Sequence, residues 1–463
     1  MIEKYVDSLK DNIINSTCEI INIPSVLAKS EDPTIPFGEN CNKALEYMLD
    51  LGEKLGFRTK NIDGYCGYIE FGEGKDLVGI IGHLDVVPSG DGWTYPPFEA
   101  TIHDNKIYGR GAIDDKGPVI ASLYAMKAVA DNLKVNKRVR LILGLNEENG
   151  WQCIDYYKEH EELPTISFSP DSNFPCIYAE KHILSTLIKQ DYNLTDDIII
   201  TDIDYANNAL NVVPKYCSCI LKLSNNINCQ NFILDLKNII KKYNYEIDIY
   251  KIDNLNIKLT SHGKQSHAAH PELGVNAISR LCLVLNDILN IYDIQIPLLA
   301  MFKKYIKDEY TGKSANINFE DETGALTLNV SRLYIKDNCL CTEFNLRIPC
   351  SMKINEFKNK FKYILSDELS VEYLRHQPAL YVSKDNYLVK TLCNIFNEVT
   401  GSNEKPIAIG GGTYARAFEN CVSFGMQMPG EEDMCHKADE FVDIDNLILS
   451  TKIYAKTIYE LAK

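Results

Sequence analysis

Residues 77–88 read L-V-G-I-I-G-H-L-D-V-V-P, a short apolar run that ends in a histidine and an aspartate. Similar apolar runs at 66–71 and 138–145 have the length and composition of buried strands. Helical periodicity occurs in three stretches, residues 3–22, 40–56 and 116–132. Because helices alternate with strands along the chain, the sequence predicts an α/β class with a central mixed sheet flanked by helices.

Acidic residues and histidines follow the predicted strands, where open α/β sheets usually place their sites. His83 and Asp85 lie two residues apart, so on a strand both side chains point to the same face. We therefore expect Asp85 to accept a hydrogen bond from the ring nitrogen that His83 does not use for a metal. Asp114 and Asp115 follow the glycines of G-R-G-A-I-D-D-K-G (109–117), which permit a close backbone approach. Either aspartate is a candidate ligand.

Glu147 and Glu148 stand side by side in N-E-E-N-G-W (146–151), directly after a predicted strand. Adjacent residues on an extended strand end point in opposite directions, so one carboxylate can hold a metal while the other faces a substrate. Metal-assisted hydrolysis needs this division, because a metal lowers the pKa of bound water to about 7 and an unligated carboxylate moves the proton. Asp171, in a proline-flanked turn, and His436 complete a set that predicts a two-metal hydrolase centre.

The composition narrows the class of protein. The chain has 463 residues and carries 48 basic against 64 acidic side chains, a net charge of -16 that disfavours nucleic acid and anionic membranes as partners. Fifteen cysteines, scattered and odd in number, are typical of reduced and mostly buried thiols. With no apolar stretch at the N-terminus and no membrane-length run, we expect a cytoplasmic protein.

The middle of the chain differs from its flanks. Its composition shifts toward Asn, Ile, Lys and Asp, and its predicted strands and helices, among them a helix over residues 273–291, repeat a βα theme twice. Because His436 has to rejoin the early ligands, we expect the middle segment to be an inserted α+β domain with two ferredoxin-like halves. The predicted domains are residues 1–183, 184–380 and 381–463, with the first and last forming one catalytic domain.

The motifs above, with G-K-Q-S-H-A-A-H-P-E-L-G-V-N-A (263–277) and G-G-G-T-Y-A-R (410–416), resemble the dinuclear zinc peptidases that include carboxypeptidase G, aminoacylase-1 and carnosinase. The similarity covers nearly the whole chain and favours the bacterial dipeptidases of the PepV type. Asn146, His182 and Cys435 depart from the residues usual in that family.

The resemblance implies a role for each candidate residue. It assigns two Zn²⁺, with Mn²⁺ or Co²⁺ as substitutes, one held by His83 and Asp171, the other by Glu148 and His436, with Asp114 as the bridge. It implies that Glu147 is the general base and acid and that Asp85 supports the ligands. The inserted domain then acts as a lid that carries His267, for the carbonyl, and Asn211 and Arg347, for substrate binding. The backbone N–H groups of Gly411 and Gly412, which lie outside the predicted lid, would add to the binding of a carboxylate.

We therefore expect a monomeric two-zinc dipeptidase that hydrolyses dipeptides or short peptides with a free amino terminus, through a zinc-bridging hydroxide. The same set of residues would serve an N-acyl amino acid amidohydrolase of the desuccinylase or deacetylase type. A non-catalytic peptide-binding descendant is a third possibility, which the intact ligands and Glu147 disfavour.

Overall fold

The computed structural model describes residues 2–192 and 197–463. Its helices, in chain order, are α1 (Ile2–Ser8), α2 (Lys10–Ile21), α3 (Glu39–Lys54), α4 (Lys116–Asn132), α5 (Gln152–His160), α6 (Cys229–Tyr243), α7 (Ala277–Ile291), α8 (Pro297–Met301), α9 (Ile354–Lys362), α10 (Tyr387–Thr400) and α11 (Ile444–Ala462). Among the described residues, no helix is both long and apolar enough to span a bilayer.

The strands are mostly short. In chain order they are β1 (Arg58–Ile62), β2 (Cys66–Phe71), β3 (Leu77–His83), β4 (Thr101–His103), β5 (Lys106–Tyr108), β6 (Arg138–Gly144), β7 (Ile166–Ser169), β8 (Ser172–Asn173), β9 (Ile177–Glu180), β10 (His182–Asp191), β11 (Ile198–Asp204), β12 (Val212–Val213), β13 (Tyr216–Leu223), β14 (Ile247–Lys251), β15 (Asn256–His262), β16 (Ser266–His267), β17 (Glu320–Asp321), β18 (Gly324–Ala325), β19 (Thr327–Lys336), β20 (Cys339–Ile348), β21 (Ser370–Gln377), β22 (Leu380–Tyr381), β23 (Ile407–Ile409), β24 (Cys421–Ser423), β25 (Met426–Gln427) and β26 (Phe441–Asp443).

The chain divides into two compact units. The first comprises residues 1–179, 380–407 and 412–463, and the second comprises residues 180–379 and 408–411. The first unit is therefore discontinuous in sequence. The limits of 183/184 and 380/381 for independently folding domains stay a prediction.

The first unit is built on a mixed sheet whose strands run in the order β1-β2-β6-β3-β7-β24-β9-β22. Strand β3 lies between β6 and β7 and is parallel to both. All seven of its residues are buried, which explains why it reads as a continuous apolar run. Helix α4, which is apolar along most of its length, is buried over residues 116–126. The predicted α/β class with a central mixed sheet is confirmed.

The second unit contains two four-stranded antiparallel sheets, β19-β20-β10-β21 and β11-β13-β15-β14. In each sheet two strands are connected through a helix, α6 between β13 and β14 and α9 between β20 and β21. One continuous apolar core packs these elements together, with Phe232, Phe302, Phe344 and Phe357 fully buried in it. The prediction of a second α+β unit with two related halves is confirmed.

Two helices differ from the sequence prediction in where they begin or end. The helix predicted over residues 3–22 is two helices, because Leu9 interrupts it between α1 and α2. The helix predicted over 273–291 begins at Ala277, because the side chain of Asn276 caps it by accepting the N–H of Ser279 at 3.0 Å. Both differences concern helix ends, which apolar periodicity does not define.

Candidate metal centre

The candidate ligands lie at one edge of the central sheet of the first unit. His83 is the last residue of β3, Glu148 follows the end of β6, and Asp171 follows the end of β7. These three strands are parallel neighbours, so their carboxyl ends meet at the same edge. Residues far apart in sequence therefore converge there.

The first candidate ligand group consists of His83, Asp114 and Asp171, whose ligand atoms all lie within 4.8 Å of one another. Nε2 of His83 is 3.0 Å from Oδ1 of Asp114 and 3.6 Å from Oδ2 of Asp171. The side chain of His83 is 1% exposed. The group is thus shielded from solvent and offers one imidazole and two carboxylates.

The second group consists of Asp114, Glu148 and His436. Nε2 of His436 is 3.1 Å from Oδ2 of Asp114 and 3.0 Å from Oε1 of Glu148. The carboxylate of Asp114 therefore presents one oxygen to each group, Oδ1 to His83 and Oδ2 to His436. This is the arrangement expected of a carboxylate that bridges two cations. Among the described residues, these are the two groups with the composition and spacing of a metal site.

The residues fit a pair of metal ions. Nε2 of His83 is fully buried, and no atom among the described residues meets the geometry of a hydrogen bond to it, although two carboxylates lie close by. On the other side of the ring, Nδ1 lies 2.9 Å from the backbone carbonyl of Asp85. Because a carbonyl only accepts, Nδ1 carries a proton, which leaves the Nε2 lone pair of the neutral ring for a metal.

The charges of the two ligand groups and of Glu147 also favour bound cations. Burial alone would raise the pKa of the Asp114 carboxyl, but contact with His436 and His83 outweighs burial and lowers this pKa. Contacts with carboxylates raise the pKa of both imidazoles, against the opposing effect of desolvation. Burial raises the pKa of Glu147 well above its usual range, and the charge of Glu148 adds to this effect. Such an excess of carboxylates over imidazoles favours bound divalent cations.

Asp85 supports the site differently from the sequence prediction. Its nearest carboxylate oxygen is 3.5 Å from Nδ1 of His83, so the ring bonds to the Asp85 backbone carbonyl instead. The carboxylate accepts the backbone N–H groups of Glu147 at 3.0 Å and Glu148 at 3.1 Å. Asp85 thus orients His83 with its main chain and the Glu147–Glu148 peptide with its side chain.

Glu147 lies beside the two groups without belonging to either. Its Oε1 accepts a hydrogen bond from the indole Nε1 of Trp151 at 3.2 Å. Trp151 packs edge-on against Tyr414 at 5.5 Å between ring centroids, and Tyr414 packs edge-on against His83 at 6.0 Å. The carboxylate of Glu147 is therefore held in place by an aromatic chain that ends on a candidate ligand.

The three departures from the family pattern are accommodated locally. Asn146 closes the N-E-E-N-G-W loop, since its carbonyl accepts the N–H of Trp151 at 2.8 Å and its Oδ1 accepts the N–H of Gln152 at 3.1 Å. His182 lies in β10, opposite Ile348, where extended backbone accepts a side chain without strain. Burial raises the pKa of the Cys435 thiol well above its usual range, which disfavours the reactive thiolate.

Asn211 and His267, both in the second unit, are neighbours. Residue 212 pairs with His267 across β12 and β16, and the carbonyl of Asn211 accepts the N–H of Ala268 at 2.8 Å. Nδ1 of His267 lies 3.2 Å from the N–H of Ala269, which it accepts. The neutral ring therefore carries its proton on Nε2, where it can donate to an oxygen.

Side chains of β19 hold the segment that contains Asn211. Three of them donate to carbonyls of alternate residues: Asn329 to Val212 (2.8 Å), Ser331 to Leu210 (2.5 Å) and Arg332 to Asn208 (2.9 Å). Nδ2 of Asn276 donates in turn to Oδ1 of Asn329 at 3.0 Å. We call these three β19 side chains the β19 ladder. It fixes the backbone on which Asn211 and, through strand pairing, His267 are placed.

Arg347 is buried within the second unit. Its Nε donates to Oδ1 of Asn345 at 2.9 Å, and its Nη1 donates to the carbonyl of Gly410. Gly411 belongs to the second unit and Gly412 to the first, so the glycine-rich loop is where the chain returns from one unit to the other. The guanidinium of Arg347 and the backbone of Gly410 are therefore connected within the second unit.

The sequence analysis missed Glu440, Arg110 and Tyr414. Glu440 and Arg110 form a buried ion pair at 2.6 Å. Glu440 ends the segment E-E-D-M-C-H-K-A-D-E, and Arg110 lies inside G-R-G-A-I-D-D-K-G. Each residue lies inside a motif that contains a candidate ligand, which could have indicated a role at the site. Neither motif indicates that the two residues pair.

Comparison with known proteins agrees with this fold. A model of the peptidase family M20/M25/M40 matches residues 79–460. A protein of Bacillus subtilis (strain 168) named "Putative dipeptidase YtjP" is 39% identical over 460 residues, which cover 98% of each chain. The chain belongs to peptidase family M20/M25/M40 and is a metallopeptidase of that family.

Solved structures share the fold at low sequence identity. Human carnosine dipeptidase 1 superposes with a TM-score of 0.59 at 16% identity, covering 100% of this chain and 98% of that one. The di-peptidase Dug1p of Saccharomyces cerevisiae gives a TM-score of 0.58 at 15% identity, covering 99% and 98%. Both are dipeptidases by name, and their likeness concerns the architecture.

Proposed function

We propose that this protein is a two-zinc dipeptidase that hydrolyses the peptide bond of dipeptides or short peptides with a free amino terminus. The observation that carries the proposal is the pair of ligand groups that share Asp114, with Glu147 beside them and outside both. His83 and Asp171 would hold one zinc, Glu148 and His436 the other. Relatives of nearly full coverage that bear the name dipeptidase support the substrate class.

Two bound metals would lower the pKa of a water and polarise the carbonyl of the scissile bond. Glu147 would take the proton from that water and deliver it to the leaving amine, as a positioned general base does. The hydrogen bond from Trp151 keeps one oxygen of Glu147 oriented for this task. Asp85 accepts the backbone N–H groups of Glu147 and Glu148, so one side chain would hold both the base and the ligand in place.

The second unit would act as a lid that supplies substrate-binding groups. His267 would donate from Nε2 to the oxygen that becomes negative in the transition state, where one preorganised donor is worth about 3 to 4 kcal/mol. Asn211, beside it, would hold the substrate backbone. Arg347 would pair with the terminal carboxylate, with the N–H groups of Gly411 and Gly412 adding to that contact.

We further propose a cytoplasmic monomer. Ten of the fifteen cysteines, which are scattered and odd in number, are buried, as expected for reduced thiols in a reducing compartment. The two related halves of the second unit would take the place of a contact between two copies.

The experiment that tests the function compares substrates and two variants. Purified protein is analysed for bound metal and then assayed on dipeptides, tripeptides and N-acetyl or N-succinyl amino acids. Glu147→Gln should keep its zinc and lose at least about 100-fold in kcat. Glu159→Gln, an exposed residue of α5, is the matched control and should match the wild type.

Two outcomes would contradict the proposal. Fast hydrolysis of only the acylated amino acids would assign the protein to the N-acyl amino acid amidohydrolases. Undiminished activity in Glu147→Gln would remove the general base from the mechanism, whichever substrate is cleaved.

A further inference from the structure

We propose that Glu440 is a positioning residue for the metal centre. Its side chain joins the backbone of the bridging Asp114 to the loop that contains His436. The inference rests on the metal centre proposed above. It concerns a side chain that is neither a ligand nor a substrate contact, and it assigns that side chain a measurable effect on metal affinity.

The geometry of Glu440 is specific. The side chain is fully buried. Its Oε1 accepts the backbone N–H of Ile113 at 3.0 Å and that of Asp114 at 3.2 Å, across 326 residues of sequence in the second case. Its Oε2 accepts Nη1 of Arg110 at 2.6 Å, and its backbone carbonyl accepts the N–H of Gly109 at 2.9 Å. One residue thus bonds to four positions of the segment 109–114.

The same residue ends the loop of the second imidazole ligand. Glu440 lies four residues after His436, and β26 begins immediately after it. His436 has a φ of 65°, a left-handed conformation uncommon for a residue other than glycine. A loop in such a conformation persists only where its surroundings hold it, and Glu440 is the buried anchor of its C-terminal end.

A displacement of the Asp114 peptide would affect both metals together. Oδ1 of Asp114 faces the first ligand group and Oδ2 faces the second, so the backbone that carries this side chain sets both distances. Outer partners of metal ligands typically affect metal affinity by about 10- to 100-fold. We therefore expect the loss of the Glu440 acceptor to weaken both zinc sites.

The neighbouring residue offers a matched control. The carboxylate of Asp439 also accepts two backbone N–H groups, from Thr94 at 2.7 Å and Tyr95 at 3.3 Å. These residues lie outside both candidate ligand groups. Asp439→Asn therefore perturbs the same loop and the same kind of bond without touching the backbone of Asp114.

The decisive comparison uses two double variants, both of which lack the buried charges of Arg110 and Glu440. Arg110→Met with Glu440→Gln keeps an acceptor oxygen at position 440, whereas Arg110→Met with Glu440→Leu removes it at similar volume. Each metal-free protein is titrated with Zn²⁺ in competition with a chromogenic chelator, and its melting temperature is measured in the same buffer. The Leu variant should bind both Zn²⁺ about 10- to 100-fold more weakly, and the Gln variant and Asp439→Asn should stay near the wild type.

A merely structural role gives a different result. It would lower the melting temperature of the metal-free protein and leave the zinc affinity of the folded fraction unchanged, and that outcome overturns the inference. Equal zinc affinity in the Gln and Leu variants overturns it as well. If the Leu variant does not fold, Glu440→Asp decides: it keeps the charge beside Arg110 but shortens the reach, so it should still weaken zinc binding, and wild-type affinity in it contradicts the inference.

Failure of the inference and failure of the proposed function remain separate. A wild-type protein that binds no Zn²⁺ would contradict the proposed metal centre itself. A wild type that binds two Zn²⁺, with variants that bind them equally well, would contradict the role of Glu440 alone.

Discussion

The carboxylate of Asp85 accepts the backbone N–H of Glu148 at 3.1 Å, so the end of β3 and the loop after β6 are joined by a bond that involves no metal. Its other oxygen accepts the N–H of Glu147 at 3.0 Å. The backbones of the candidate ligand Glu148 and of the proposed base Glu147 are therefore held by one side chain.

We predict that Asp85→Asn lowers activity and zinc affinity by about 10- to 100-fold. An amide offers one acceptor oxygen and an NH₂ group, and the NH₂ would face one of the two backbone N–H groups that the carboxylate now accepts. Asp91→Asn, at an exposed position, is the control. The measurement is a zinc titration of the metal-free protein followed by a kcat determination. Wild-type values for both quantities would contradict the assigned role.

Trp151→Phe should lower kcat by about tenfold, the equivalent of about 1.4 kcal/mol, while the zinc content stays unchanged. Phenylalanine keeps the packing against Tyr414 but removes the indole N–H that bonds to Glu147. Trp93→Phe is the control, because the indole of Trp93 donates to the carbonyl of Ser89 instead. A loss of zinc together with activity would show that Trp151 supports the ligands and not the base.

Removal of metal by a chelator should proceed in two steps. The side chain of His436 is 47% exposed, whereas that of His83 is 1% exposed, so the ion held by the second group is open to solvent and should leave first. In His436→Ala we expect the zinc of the first group to remain, and in His83→Ala the zinc of the second group, because each imidazole belongs to one group only. Metal analysis at increasing chelator concentration checks this order. Simultaneous loss of both ions at every concentration would speak against it.

Asn329→Ala should destabilise the protein by about 1 to 3 kcal/mol, because it leaves buried polar groups of the β19 ladder without partners. In the fraction that remains folded, kcat should fall more than zinc binding, since the ladder fixes the segment of Asn211 in the second unit. Urea unfolding and zinc titration measure the two effects. Asn225→Ala, exposed in the turn after β13, is the control. Unchanged kcat in folded Asn329→Ala would separate the ladder from catalysis.

The sequence predicted the parts of the site that depend on strand ends. His83 ends one continuous apolar run and Glu148 follows another, and each run predicts where a strand ends. Because parallel strands end at the same edge of a sheet, the convergence of these residues follows from sheet geometry. Glu147 and Glu148 lie in the turn after β6, not on an extended strand, so the side-chain alternation behind the prediction of their opposite directions does not apply to them.

What the sequence did not predict depends on contacts between remote segments. The alternation of side chains along a strand placed Asp85 beside His83, but it does not say that the Asp85 carbonyl reaches the ring while its carboxylate turns to another loop. The bond between Glu440 and Asp114 spans 326 residues, and no local periodicity records it. Local pattern gives the elements and the ends of the buried strands, and the partners of buried polar groups come from tertiary packing.

Because the first unit is discontinuous in sequence, its candidate ligands are synthesised at different times during translation. Glu148 and His436 are separated by 288 residues, and the whole second unit is translated between them. A nascent chain that already contains His83, Asp114 and Asp171 still lacks the second imidazole until the ribosome has passed that unit. With His436 as a ligand of the proposed centre, we expect the chain to be inert toward peptides while it is being made, and a product of premature termination inside the second unit to cleave none.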